Sequence, residues 1–228
     1  DLIVAIGSIF PTMDACCEQK ADSLSALRTR HHRVLVLVLV INAAMFCVEF
    51  AGGWIAGSTA LLGDSLDMLG DASVYAVTLY ALAASARAKA GIAVFKGLVM
   101  AVFGLVVLAE AIRRASDGAP PDVGLMLLTG TAALLANAVC FALLYRSRAD
   151  DLNMRSVWLC SRNDLVSNLS VLLAAGAVYA SGSHWPDVAI GLAIALLFLH
   201  SARQVLREAL DAWRDAARDT HDLGALRG

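Results

Sequence analysis

Three carboxylates, Asp64, Asp67 and Asp71, interrupt an apolar run that extends from about Ser58 to Ala86. They stand at i, i+3 and i+7, so a helix carries all three along one stripe. A helix of that length can cross a bilayer. There, one ionisable group at the centre costs roughly 2.5–3.5 kcal/mol on insertion scales. No solvated face is available to absorb three of them, which points to a cation site.

The rest of the chain has the composition of a membrane protein. Of 228 residues, 59% are hydrophobic and 17% charged, with a mean hydropathy of +0.68. That is too little charge to cover a soluble domain of this size. Six apolar runs can be delimited, at about Val34–Ile55, Ser58–Ala86, Ile92–Ile112, Val123–Tyr145, Ser156–Ser181 and Val188–Val205. Each approaches or exceeds the roughly 20 residues of a spanning helix, and the connections are short and rich in Gly, Pro and Ser. With six spans, Lys20, Arg28, Arg30, Arg33, Arg87, Lys89, Arg146, Arg148, Arg155, Arg203, Arg207, Arg214 and Arg218 all fall on one side. The other side has Arg113 and Arg114, offset by Asp117 and Asp122. The expected fold is an all-α integral membrane protein of six transmembrane helices with both termini cytoplasmic.

The same reading divides the chain into three parts. Residues 1–30 are expected to be a disordered N-terminal segment, with 1–12 as a leader ahead of an alternative start at Met13. Residues 31–206 form the six-helix transmembrane domain, and 207–228 a short cytoplasmic tail without a folded C-terminal domain. The five cysteines, Cys16, Cys17, Cys47, Cys140 and Cys160, have no disulfide-scaffold spacing and read as free thiols. The net charge of −2 carries no information about partners. No basic stripe is interleaved with aromatics, so nucleic acid is not an expected partner.

A second polar stripe lies in the fifth run, where Cys160, Asp164 and Asn168 recur at i, i+4 and i+8. Arg162 is about 200° around the helix from Cys160 and points elsewhere. The second and fifth spans run in opposite directions, so Asp67 and Asp71 can meet Cys160 and Asp164 near mid-membrane. These four residues make a tetrahedral metal set of the kind zinc prefers. The thiolate biases the set toward Zn²⁺ or Cd²⁺ over Mg²⁺ or Ca²⁺. All four ligands lose protons on binding metal, so metal and protons compete for one site. Asp64, Asn168 and Glu49 are candidates for a relay or for support around that set. Glu49 stands one heptad after Asn42 and shares its face of the first helix.

A resemblance follows from these residues. The segment VEFAGGWIAGSTALLGDSLDMLGD (48–71) resembles the first-to-second helix signature of the cation diffusion facilitator family. In that family a Glu, a Gly-Gly, a Gly-Ser and a Leu-Leu-x-Asp lead into a His/Asp-x-x-x-Asp metal motif. Residues 153–173 are similar to the fifth helix of the family, and Trp185-Pro186-Asp187 to the start of the sixth. The likeness spans about residues 30–210. It implies that Asp67 and Asp71 are the second-helix ligands and Asp164 a fifth-helix ligand. Cys160 stands where the family usually has His. The cytosolic ferredoxin-like domain usual in the family has no counterpart, which implies a short subtype.

The expected function is efflux of a divalent transition metal, Zn²⁺ and Cd²⁺, in exchange for protons by alternating access. The metal is then a transported substrate and no cofactor is expected, nor an enzymatic activity. The expected location is the bilayer of a bacterial inner membrane, as a multi-pass protein. A homodimer through the membrane is expected, with Gly91, Gly97 and Gly104 on the third helix allowing close approach. Two alternatives use less of the pattern. An intramembrane aspartyl-type hydrolase would use Asp71 and Asp164 as a dyad but has no role for Cys160, and a non-transporting scaffold needs no aligned ligands. Cys16, Cys17, His31 and His32 could capture metal at the cytoplasmic mouth or be solvated bystanders. Glu110 with Arg113 and Arg114 reads as a surface pair.

Overall fold

The computed structural model describes the backbone of residues 13–80, 86–146 and 154–225. It describes the side chains of those helices except at 13–31, 78, 80, 86, 87, 89, 146, 154–163 and 215–225. Six helices are present among the described residues, and no strand. They are α1 (Met13–Ala56), α2 (Thr59–Tyr80), α3 (Ala86–Asp117), α4 (Val123–Arg146), α5 (Met154–Ser181) and α6 (Trp185–Ala225). The expected all-α membrane architecture is the one observed.

Among the described residues, five helical stretches are long and apolar enough to cross a membrane: His32–Ala56, Ala90–Asp117, Val123–Tyr145, Asp164–Ser181 and Trp185–Arg214. Helix α2 is excluded from that set by its three acids, and its position explains how it tolerates them. Its 22 residues span about 33 Å, close to the ~30 Å hydrocarbon core, and α1, α3, α5 and α6 all pack around it. Three apolar clusters hold it there. Val74, Tyr75 and Leu79 pack with Leu35 and Val38 of α1 and Leu144 of α4. Ala60 and Leu61 pack with Met126 of α4 and with Val171, Ala174 and Ala175 of α5. Leu62 and Leu66 pack with Met100 and Val107 of α3 and with Ala195 and Phe198 of α6. The outward faces of the enclosing helices are apolar instead, as at Val40, Ile55, Phe95, Leu128, Leu173 and Tyr179, a surface suited to lipid.

The connections follow from local chemistry. Gly57 takes φ +71° between α1 and α2, a left-handed backbone that glycine adopts without strain. Ser58 then caps α2, its Oγ accepting from Leu61 N–H at 3.1 Å. Asp122 does the same for α4, accepting from Leu125 N–H at 3.0 Å. The Asp122 N–H reaches back to the Ala56 carbonyl at 2.8 Å, joining the α1–α2 and α3–α4 turns.

Two expectations differ from the structure, at the α3 glycines and at Glu110. Helix α1 itself begins at Met13. No Gly or Pro lies between Met13 and Ala51 to stop the helix running back from the membrane. Residues 1–12 lie outside the described part, as do the side chains of Cys16, Cys17 and His31. The glycines of α3 do not form a free surface. A Cβ on Gly91 would meet Trp213 at 2.7 Å, one on Gly97 would meet Leu206 at 3.0 Å, and one on Gly104 would meet Leu199 at 2.7 Å. Helix α6 of the same chain occupies that face, because small residues let two long helices approach closely within one bundle as well as between copies. Glu110, finally, is buried rather than on the surface. It accepts from Arg113 Nε and Nη2 at 2.8 and 2.6 Å and from Arg114 Nε at 2.8 Å, while the Arg114 guanidinium lies over Gly57.

Candidate metal site

The acid stripe of α2 changes character along its length. Asp64 is completely buried, whereas Asp67 and Asp71, one and two turns further on, are half-buried. The stripe is sealed toward the Thr59 end of α2 and more accessible toward the Tyr80 end.

At the sealed end the stripe meets α1. Glu49 has no exposed surface, and its carboxyl lies in the electrostatic neighbourhood of Asp64 first and Asp67 second. Among the described residues, none donates a hydrogen bond to the four oxygens of Glu49 and Asp64. Ser167 of α5 stands close enough to act on the Asp64 carboxyl, although its hydroxyl closes no regular hydrogen bond. Two like charges facing each other out of water are strongly unfavourable, and such a pair is neutralised by a proton or cation between them. Asn42, a heptad before Glu49, is buried too. It donates to the Val38 carbonyl at 2.9 Å and to Cys140 Sγ at 3.5 Å, leaving Oδ1 without a partner.

Helix α5 supplies the opposing wall. Leu61 shares a cluster with Val171 and Ala174, and Asp64 is matched with Ser167. The two helices are therefore antiparallel, with paired residue numbers summing to about 231–235. Continued one turn at a time, that register brings Asp67 to the level of residues 164–168 and Asp71 to the level of residues 160–164. Asp164 is half-buried. Asn168 is fully buried and donates Nδ2 to the Asp164 carbonyl at 2.7 Å, with its Oδ1 unpartnered. The side chain of Cys160 lies outside the described residues. Among the described residues no three His, Cys, Asp or Glu side chains converge as a metal-binding group.

Sequence reasoning placed Asp187 at the start of the sixth helix but gave it no role. It lies in the first turn of α6 and its carboxylate accepts from Ser58 Oγ at 2.5 Å, Thr59 N–H at 2.7 Å, Thr59 Oγ1 at 2.9 Å and Ala60 N–H at 3.1 Å. Its only signal in the sequence is a lone acid after Trp-Pro at the head of an apolar run.

A multi-helix membrane bundle that encloses an acid-bearing helix has the form of a cation-handling membrane protein. Comparison with known proteins agrees with that class. Residues 35–212 match the cation efflux transmembrane domain, and this chain belongs to that family, whose members are transporters rather than enzymes. It is 28% identical over 208 residues to the zinc transporter ZitB of Escherichia coli, covering 86% of this chain and 66% of that protein. It is 31% identical over 203 residues to ZitB of Pectobacterium atrosepticum, covering 83% and 63%. Against the cadmium, cobalt and zinc/H(+)-K(+) antiporter of Bacillus subtilis it is 26% identical over 212 residues, covering 85% and 67%. The chain thus spans about two thirds of the length of these relatives. Family membership makes it an integral, multi-pass membrane protein and sets aside the hydrolase alternative.

Proposed function

We propose that this chain exports Zn²⁺ and Cd²⁺ from the cytoplasm in exchange for protons, by alternating access. The observation that supports it most is the antiparallel α2–α5 register, which sets Asp67 and Asp71 against the 160–168 stretch of α5. In this proposal Asp67, Asp71, Cys160 and Asp164 are the metal ligands. Three carboxylates and a thiolate suit a borderline-to-soft divalent ion, and each must be deprotonated to bind it. An ion entering on one face therefore displaces protons, and protons arriving on the other displace the ion.

Glu49 and Asp64 complete the exchange. Buried together without a donor, they hold a proton between them in one state and release it when a metal ion one turn away supplies the neutralising charge. Asn168 supports Asp164 from below. The greater accessibility of Asp67 and Asp71 toward the Tyr80 end fits a site open to the cytoplasm, given the basic residues that the sequence puts on that side. A transmembrane domain at residues 31–206, the cytoplasmic termini, the bacterial inner membrane and a homodimer belong to the same proposal. The dimer contact then lies off the α3 glycine face, which α6 fills.

The relatives named as zinc transporters and as a Cd, Co and Zn antiporter support the metal class. Titrating Zn²⁺ into weakly buffered purified protein tests the exchange at the level of binding. Proton release that saturates with Zn²⁺ and is absent in Asp71→Ala is expected. Zn²⁺ binding without proton release would contradict the coupling, and no Zn²⁺ binding would contradict the site.

A further inference from the structure

We infer that Asp187 is a positioning residue that sets the height and rotation of α2, and with it the acid stripe, against α6 and α5. This rests on the proposed metal site for its functional consequence but not for its geometry.

Asp187 is 1% exposed, and its carboxylate serves two helix N-termini at once. It lies in the first turn of its own helix, where negative charge is favoured by the helix dipole. It also adds to the Ser58 cap at the head of α2, accepting from two backbone N–H groups and two hydroxyls there. Thr59 Oγ1 is additionally within 3.0 Å of the Asp187 backbone carbonyl. Charge-assisted bonds of this kind are short and directional, and several on one carboxylate fix both translation along α2 and rotation about it. Packing beside the clamp is equally close. A Cβ on Gly191, one turn along α6, would fall 2.4 Å from the Thr59 carbonyl, and one on Gly63 would fall 3.1 Å from Ile194.

The clamp lies near the site. Five residues separate Thr59 from Asp64, about 7.5 Å along the axis, and twelve separate it from Asp71, about 18 Å. A helix transmits displacement at its end to its whole length, so slippage at Thr59 moves every carboxylate of the stripe past α5. The family resemblance assigns ligands to α2 and α5 but gives Asp187 no role.

Asp187→Asn is the informative change, because the amide keeps the size and one acceptor but turns N–H donors toward the donors of Ser58, Thr59 and Ala60. In a background with the five native cysteines replaced by serine, Leu61→Cys is paired in turn with Ala174→Cys, Ser170→Cys and Val178→Cys. Oxidative cross-linking then reads the α2–α5 register directly. With Asp187 intact the Leu61–Ala174 pair dominates. In Asp187→Asn that yield falls about threefold or more and one of the pairs displaced by a turn gains, and Thr59→Ala moves the pattern the same way to a smaller extent. An unchanged pattern in both variants overturns the inference. So does a parallel fall at all three pairs, which is mere loss of stability. Co²⁺, bound in place of Zn²⁺, gives the second readout in the native-cysteine chain. Its tetrahedral absorption weakens in Asp187→Asn if the stripe has shifted, and an unaltered spectrum overturns the positioning role. If Co²⁺ does not bind the unaltered chain while the cross-link pattern shifts, the proposed metal site fails and the positioning role stands.

Discussion

Replacing Gly191 with alanine perturbs the junction between α2 and α6 at its tightest point. The new Cβ would lie 2.4 Å from the carbonyl carbon and oxygen of Thr59 and 2.7 Å from its Cβ. Ordinary non-bonded contact is about 3.5–4.0 Å, so the two backbones must separate by about 1 Å or more. Overpacking of this type costs about 1–3 kcal/mol. Separation also lengthens the Asp187 bonds from Thr59 N–H and Ala60 N–H, now 2.7 and 3.1 Å, and a bond to a charged acceptor contributes about 1.5–3 kcal/mol. The intrinsic helix gain of alanine over glycine, about 0.8–1 kcal/mol, opposes these only in part. The net loss is about 2–5 kcal/mol, which lowers the melting temperature by about 5–15 °C for a chain of this size. Gly176→Ala is the control, since a Cβ there meets nothing within 4 Å, and it should hold or raise the melting temperature. Thermal unfolding of the purified protein in detergent, followed by tryptophan fluorescence, compares the two. A Gly191→Ala melt equal to the unaltered chain, or equal losses at Gly176 and Gly191, would refute the close junction.

Three further outcomes follow from the site. Asp71→Ala and Asp164→Ala should each abolish metal uptake into vesicles while inserting normally, because removing an intramembrane charge lowers insertion cost; near-normal uptake by either excludes the assigned ligands. Cys160→Ser should weaken Cd²⁺ more than Zn²⁺, and Cys160→His should shift preference toward Zn²⁺, as read by calorimetric titration of both ions. Unchanged affinities in Cys160→Ser would make the thiol a packing residue. Glu49→Gln removes one charge from a facing buried pair, so its melt should match or exceed that of the unaltered chain while the pH dependence of transport flattens. A large drop in melting temperature with the pH profile intact would instead assign Glu49 to structure alone.

What was legible in the sequence was whatever one helix decides by itself. Hydropathy delimits the runs, and the i, i+3, i+7 spacing aligns Asp64, Asp67 and Asp71 without any knowledge of neighbours. Opposite chain direction in the second and fifth runs was enough to expect the facing of α2 and α5. Relations between helices were harder to read. Gly91, Gly97 and Gly104 signal close approach but not to what, and α6 of the same chain took the place expected for a second copy. Asp187 caps a helix that begins 128 residues earlier, and no local pattern encodes a cap supplied from so far away. Glu49 was legible as a buried acid on the Asn42 face, but its pairing with Asp64 depends on how α1 and α2 pack.

Reconstituted vesicles test the central claim most directly. The purified chain is placed in liposomes with a Zn²⁺ reporter and a pH reporter trapped inside, and Zn²⁺ is added outside under a series of imposed pH gradients. Coupled exchange predicts that Zn²⁺ accumulates when the lumen is the more acidic side, that the lumen turns alkaline as it does so, and that both signals vanish in Asp164→Ala. Zn²⁺ entry at the same rate with and without the gradient, and with no change in luminal pH, would contradict it.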